Sequence, residues 1–303
     1  MNELLSYRVT NSGVLLLKGK ESLDLLHRLS TNDVLHLQVG KVIQTILTTE
    51  KGRIFDLMSI IRKTNDECLV IGHFRSGDEL KAWLDKFIIM EDVLVTEVPN
   101  AQHHIVWALN NVKENASVIL KGGTDNVRTI ENSFGEVQAY CFQSLLANGG
   151  MAHLVTVAVN EEKEILLRLG IRECGQEEFD RFRITHIIPW RPNEISESTN
   201  PLEVNLTSLV SFTKGCYIGQ EVIARLDTYK KVQKHLVRFE CSRAPKTVPQ
   251  AVFDGEEELG TITTAVAGVN QALGFIRSSL SGRSLLHFEN GGGSVEVTIS
   301  DQK

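Results

Sequence analysis

From about His235 onward the chain carries no helical period. Short β-like runs, HLVRFEC, VFDGEEELGTITTAV, ALGFIR and SVEVTIS, follow one another with Gly or Pro between them. Such runs bury an apolar face only against another sheet or by closing on themselves. A small C-terminal β-barrel over residues 233–303 is therefore expected.

Upstream the periods are mixed. Residues 14–17 read as a strand, and Leu23, Leu25, Leu26 and Leu29 as a helix after the Lys18-Gly19-Lys20 turn. Two β-rich runs in 41–62 flank Glu50-Lys51-Gly52, a hairpin-type connector. A strand over 68–74 precedes Leu80, Trp83, Leu84 and Phe87, which recur at the spacing of a helix face. Further strands are expected over 93–98, 105–109, 136–142 and 154–159, and helices over 161–169 and 176–186. The region 1–232 thus reads as α+β and mostly antiparallel, ending on an irregular Pro-, Asn-, Glu- and Ser-rich stretch over 189–201 and the segment that follows it.

With 303 residues, 42% hydrophobic and 23% charged, the composition is that of a folded globular chain of two or three lobes. No apolar run approaches the roughly 20 residues of a membrane-spanning helix. The opening MNELLSYRVTNSG lacks a basic start followed by an apolar stretch, so a soluble, cytoplasmic protein without membrane contact is expected. The net charge of -6 argues against direct nucleic-acid binding. Five cysteines without a Cys-x-x-Cys pair suggest neither a disulfide framework nor a zinc site. His103-His104 and the other histidines show no HExxH spacing, so no metal is expected.

The densest chemistry lies in Lys214-Gly215-Cys216-Tyr217-Ile218-Gly219-Gln220-Glu221, which runs into a helix carrying Arg225. A thiol at a helix start, two residues from a lysine, would gain thiolate stabilisation from both. Cys216 is therefore the candidate reactive group, with Lys214 tuning it; the alternative is a buried small hydrophobe. Tyr217 could stack on a planar ligand, Gln220 and Glu221 could bond polar edges, and Arg225 could hold an anion. Asn32 and Asp33 follow the first helix and suit either a ligand or a turn. Phe179 could offer a ring or pack in the core. Lys230, Lys231, Lys234, His235 and Arg238 form a basic run, a solvated face or a hold for anionic groups.

KGCYIGQE followed by ARLDTYKKVQKHL resembles the signature of the YgfZ-type folate-binding proteins, themselves similar to the aminomethyltransferase of the glycine cleavage system. Ser30-Thr31-Asn32-Asp33-Val34, Pro201-Leu202-Glu203-Val204-Asn205-Leu206 and Leu259-Gly260-Thr261-Ile262-Thr263 also match where similar family segments fall. The resemblance implies two interleaved ferredoxin-like α+β lobes and a C-terminal β-barrel around a central pocket. It implies tetrahydrofolate or a derivative as cofactor, and Glu203 and Asn205 as further binding candidates. It also implies iron-sulfur proteins as clients, including the tRNA-modifying enzymes that depend on them.

Two positions depart from that pattern. Arg183-Ile184-Thr185-His186-Ile187-Ile188-Pro189 has Thr185 where relatives often carry a Glu, and a hydroxyl cannot accept two N–H bonds from a pterin as a carboxylate does. Gly52-Arg53-Ile54-Phe55-Asp56-Leu57 has Phe55 where aminomethyltransferases tend to show a second aspartate, which removes an acid-base group. The leading expectation is a folate-binding accessory protein for iron-sulfur clusters. A one-carbon transferase and, more weakly, an RNA-binding module remain open.

Overall fold

Alternation along the strands decides the architecture, because several strands carry apolar residues on both faces and must be covered twice. The computed structural model describes residues 3–109, 126–146, 150–158, 160–278, 286–288 and the backbone of 297–300. The chain divides into two compact units, residues 1–174 with 208–220, and 175–207 with 221–303. Residues 175–207 and 221–232 are thus grouped with the C-terminal strands.

The first unit contains β1 (Leu4–Arg8), β2 (Val14–Lys18), α1 (Ser22–Leu29), β3 (Val42–Thr48), β4 (Ile54–Arg62), β5 (Glu67–Gly72), α2 (Gly77–Asp85) and β6 (Leu94–Glu97). It continues with β7 (Gln102–Ala108), β8 (Val127–Glu131), β9 (Val137–Gln143), β10 (Ala152–Thr156), α3 (Glu162–Arg168) and β11 (Ile171–Glu173). One five-stranded sheet has the order β3-β4-β5-β2-β6, and one six-stranded sheet the order β11-β1-β7-β10-β9-β8. The two interleave in sequence, since β1 belongs to the second sheet and β2 to the first. All pairings are antiparallel except β1 with β11.

The period of two sorts the core into layers. Leu15, Leu17, Met58, Ile60, Cys68 and Val70 pack against Leu25, Leu26 and Leu29 of α1 and Leu80, Trp83 and Leu84 of α2. Their neighbours Val14, Ile61, Leu69 and Ile71 face the opposite way and meet Tyr140, Phe142 and Val155 of the six-stranded sheet. The outer face of that sheet sets Ala139, Cys141, Ala152 and Leu154 against Ile165 and Leu166 of α3. Gln44 ties the two sheets through polar bonds: its Nε2 donates to Gln143 O at 2.6 Å, and its Oε1 accepts from Leu145 N at 2.9 Å. α2 starts on a capping box in which Ser76 Oγ accepts from Glu79 N and Glu79 Oε2 accepts from Ser76 N.

The second unit contains α4 (Gln176–His186), 3-10 turns including Pro201–Val204, α5 (Gln220–Thr228, whose first residue lies in the first unit), β12 (Lys234–Cys241), β13 (Gln250–Asp254), β14 (Glu257–Ala265), β15 (Gln271–Arg277) and β16 (Val297–Ser300). Its sheet has the order β13-β14-β15-β12-β16, over a core of Val237, Phe239, Val252, Ile262, Ala272, Ile276, Leu286 and Phe288. The all-β reading of the C-terminal region holds, but the expected barrel does not close among the described residues. β13 and β16 are the ends of the strand order, and most of 279–296 lies outside them.

A buried ion-pair network anchors this unit. Arg183 of α4 is 1% exposed and donates to Glu194 Oε2 at 2.7 Å and to Asp180 Oδ1 at 2.6 Å. Glu194 Oε1 accepts from the Thr263 and Thr264 hydroxyls of β14, each at 2.6 Å, and Oε2 also accepts from Trp190 N at 3.1 Å. Removing one partner leaves a buried charge or donors unmatched. Glu194→Ala is expected to destabilise the second unit by about 3–5 kcal/mol, read as a lower midpoint in chemical denaturation, whereas the exposed Glu197→Ala leaves that midpoint within roughly 0.5 kcal/mol of the parent.

Candidate functional site

The motif loop is held at both ends and open in the middle. At one end Lys214, 9% exposed, turns its ammonium into the C-terminal end of α1. Nζ donates to the carbonyls of His27, of Ser30 at 2.6 Å and of Asn32 at 2.9 Å, satisfying acceptors the helix end leaves over. Thr31 reinforces the junction: its hydroxyl donates to Leu209 O at 2.6 Å, and its carbonyl accepts from Ser211 N at 2.9 Å. At the other end Ile218 O accepts from the Thr48 hydroxyl, and Gly219 lies in the left-handed region at φ 81. A Cβ there would stand 2.4 Å from Thr49 O and 2.9 Å from Gly52 Cα, so only glycine lets the loop approach the β3–β4 turn.

Between these anchors Cys216 is exposed. It lies four residues before Gln220, the first residue of α5, so the expected position at a helix N-terminus is corrected. Lys214 is likewise committed to carbonyls in and just beyond the last turn of α1. Among the other cysteines Cys174 is half-buried, while burial pushes the thiols of Cys68 up to about 11 and of Cys141 and Cys241 up to about 12.

Burial lowers the Lys214 ammonium to about 8, against the pull of Asp33. Tyr217 is buried and its hydroxyl is pushed up to about 12 by burial; its ring sits 5.2 Å from Lys214 Nζ, a cation-π contact. The expected stacking surface is thus turned inward. Asn32 is a joint of the scaffold, its Nδ2 donating to Gln44 O at 2.9 Å and its Oδ1 accepting from Asp33 N at 2.9 Å. Asp33 Oδ2 stands 2.8 Å from His36 Nδ1. His27 Nδ1 stands 3.4 Å from both Leu35 N and Asp33 Oδ1, and burial first and Lys214 second lower the His27 pKa. Asp33 Oδ1 is buried beside that imidazole and within the field of the Lys214 ammonium.

Lys214, Tyr217, Asn32 and Asp33 therefore come together in the first unit, with Cys216 on the same loop and Gln220 half-buried at its end. The other candidates fall in the second unit. Glu221 and Arg225 are exposed on α5. Glu203 accepts from Asn200 N at 3.2 Å in a capping box, and Asn205 Nδ2 donates to Leu236 O at 2.9 Å. Phe179 is 0% exposed and packs edge-on against Trp190 at 5.1 Å, so core packing is its role. Thr185 is exposed, its hydroxyl donating to Arg181 O at 2.9 Å. Within the basic run Lys234 lies over the Phe275 ring at 4.3 Å, and Arg238 donates to Thr185 O at 2.8 Å.

At the aspartate position of β4, Asp56 is 0% exposed and its Oδ1 accepts from Phe74 N at 2.9 Å and His73 N at 3.3 Å. Phe55 stacks on Trp83 at 5.1 Å with Arg75 4.7 Å from its ring, so an apolar contact stands where an acid would. The sequence reading missed one cluster, His73, His103 and His153, all buried in the first unit. Burial lowers His73 to about 3 and the other two well below the ordinary value. No short motif joins them; only strand parity, once the sheets are known, turns all three to one layer.

The fold is that of the aminomethyltransferases: the crystal structure of glycine cleavage system aminomethyltransferase T from Bartonella henselae superposes with a TM-score of 0.79 at 14% identity, covering 99% of this chain and 86% of that one. In sequence the chain is similar to an aminomethyltransferase of Listeria monocytogenes, 25% identical over 98% of this chain and 83% of that one. An aminomethyltransferase of Aquifex aeolicus is 26% identical over 85% and 70%. A chloroplastic protein of Arabidopsis thaliana, provisionally classed as a transferase, is 26% identical over 89% of this chain, which spans 64% of its length. No protein-family profile matches the sequence. Among the described residues no helix is long and apolar enough to cross a membrane.

Two outcomes follow from the loop. With a thiol-reactive probe at pH 8, the native protein is expected to show one fast thiol that Cys216→Ser removes, while Cys68, Cys141 and Cys241 react only on unfolding. Lys214→Met is expected to cost about 2 kcal/mol or more in denaturant titration, since three carbonyls lose their donor. The native state releases the Lys214 proton near pH 8 and the unfolded chain only near 10.5, so the unfolded state binds more protons between them. The stability advantage of the parent over Lys214→Met should accordingly grow as pH rises through that window.

Proposed function

We propose that the chain is a tetrahydrofolate-binding accessory protein for iron-sulfur cluster maintenance, with clients that include tRNA-modifying enzymes, and with Cys216 as its functional thiol. The observation that carries this reading is the KGCYIGQE loop, anchored through Lys214 and Gly219 so that Cys216 is presented to solvent. A thiol held in the open on a rigid loop is available to a macromolecular client, whereas a thiol inside a closed pocket is not. The aminomethyltransferase fold supports a folate-type ligand, and the Asp33 carboxylate offers an acceptor for an N–H edge. Under this reading 1–232 is the folate-binding region and 233–303 an accessory β region, and Gln220, Glu221, Arg225, Glu203 and Asn205 are further binding candidates.

A second reading, a folate-dependent aminomethyltransferase, is favoured by the names of the relatives. Phe55 weakens it: transfer of a one-carbon unit needs a positioned acid-base group, and the ring is packed on Trp83. The RNA-binding reading is weakened because Lys234 and Arg238 are engaged within the protein.

The deciding assay is complementation. In cells lacking this protein, the parent gene is expected to restore the activity of an iron-sulfur-dependent tRNA-modifying enzyme and Cys216→Ser is not; full rescue by Cys216→Ser would end the thiol role. Calorimetric titration with tetrahydrofolate under reducing conditions tests the ligand. Binding in the micromolar range is expected, about -8 kcal/mol, and Thr185→Glu, which restores the carboxylate of the resembled pattern, is expected to tighten it by at least about threefold. Turnover of an aminomethyl donor by the purified protein with its carrier would instead favour the second reading.

A further inference from the structure

The apolar layer between the two sheets of the first unit contains three imidazoles. His103 on β7 is 1% exposed, His153 on β10 is 0% exposed and His73, directly after β5, is 2% exposed. The rings stand mutually close, with centroids 5.1 Å apart for His73 and His103, 4.9 Å for His73 and His153, and 5.1 Å for His103 and His153.

Hydrogen bonding determines where the protons lie. The Ser12 hydroxyl donates to Gly72 O, so its oxygen accepts from His103 Nδ1 at 2.9 Å. His103 Nε2 then carries a lone pair and accepts from His153 Nδ1, also at 2.9 Å. His153 Nε2 is left as a bare lone pair, sealed from solvent and without a partner. His73 Nε2 meets Ser59 Oγ at 3.2 Å, while its Nδ1 is buried without a partner as well. Buried polar atoms are satisfied in the large majority of cases, so two orphaned ring nitrogens in one cluster call for a missing occupant.

We propose that His73, His103 and His153 bind one divalent first-row transition-metal ion of the zinc type. Each ring offers one nitrogen such that all three lie within 4.8 Å of one another; on loading, His103 Nε2 releases the His153 Nδ1 hydrogen bond and turns its lone pair to the ion. Zinc-imidazole bonds of about 2.0–2.1 Å place tetrahedral nitrogens about 3.4 Å apart, so the rings need turn inward by roughly 1 Å. An all-imidazole donor set suits zinc, copper or nickel rather than magnesium or calcium. Three neutral donors bring no charge, so the fourth position takes hydroxide or another small anion. The ion would clip the end of β5 to β7 and β10, joining the two sheets, and its burial makes loading part of folding.

The test uses the full chain, unfolded with chelator, refolded with zinc or cobalt(II), and desalted. The expected result is about one ion per chain, an X-ray absorption spectrum with imidazole scattering, and a thermal midpoint roughly 5 °C above that of the protein refolded without metal. His153→Gln and His73→Gln should each lower retained metal at least about tenfold, while His36→Gln, at an exposed histidine, should not. Retention below about 0.1 ion per chain, an absorption spectrum of the parent without imidazole shells, or undiminished retention in a folded variant combining His73→Gln and His153→Gln would overturn the assignment. The spectrum of the parent decides the matter even if the variants fail to fold.

Discussion

The burial of one sheet against the other in the first unit is the constraint on which the remainder depends. Val14, Ile61, Leu69 and Ile71 cover Tyr140, Phe142 and Val155, and this layer exists only because β1 joins the sheet of β7–β11 while β2 starts the other. Once both inner faces are dry, α1 and α2 must cover one outer face and α3 the other. Every polar side chain caught in the layer must also find a partner there. Gln44 does so by bonding across the sheets, and Ser12 by linking Gly72 O to His103.

The motif loop shows how a segment dense in chemically able residues divides its labour. Lys214 and Gly219 are consumed in holding the loop, the first by ending α1 and the second by permitting a backbone approach that any side chain would block. Tyr217 lends its ring to the lysine. That leaves Cys216 as the residue of the loop presented outward with reactive chemistry. The cation beside it is not a free tuning charge but a helix cap, and the placement of α5 removes the helix dipole from the thiol's first turn.

Much of the architecture was legible because local periods survive folding. The helices expected over 161–169 and 176–186 are found at Glu162–Arg168 and Gln176–His186, and the hairpin in 41–62 is the β3–β4 pair. β1, β8 and β11 escaped the reading, being runs of five, five and three residues with too few turns of period to register. Lys214, Asn32 and Asp33 meet in the fold beside the loop of Cys216, but which contacts each makes is not legible beforehand, because a spacing along the chain says nothing of which atom a side chain meets. Phe179 illustrates the same limit, since an aromatic on a helix reads alike whether it faces a ligand or Trp190.

By itself the sequence determined the α+β character, the all-β C-terminal region, and the concentration of candidate chemistry at KGCYIGQE, since these follow from side-chain period and from residue type. Only the tertiary structure decided the division of labour within the motif and the meeting of His73, His103 and His153. Those contacts join residues 182 to 187 positions apart in the one case and strands of two different sheets in the other. Their partners are set by strand order and by which face each strand buries, and neither quantity is written in any local stretch of the chain.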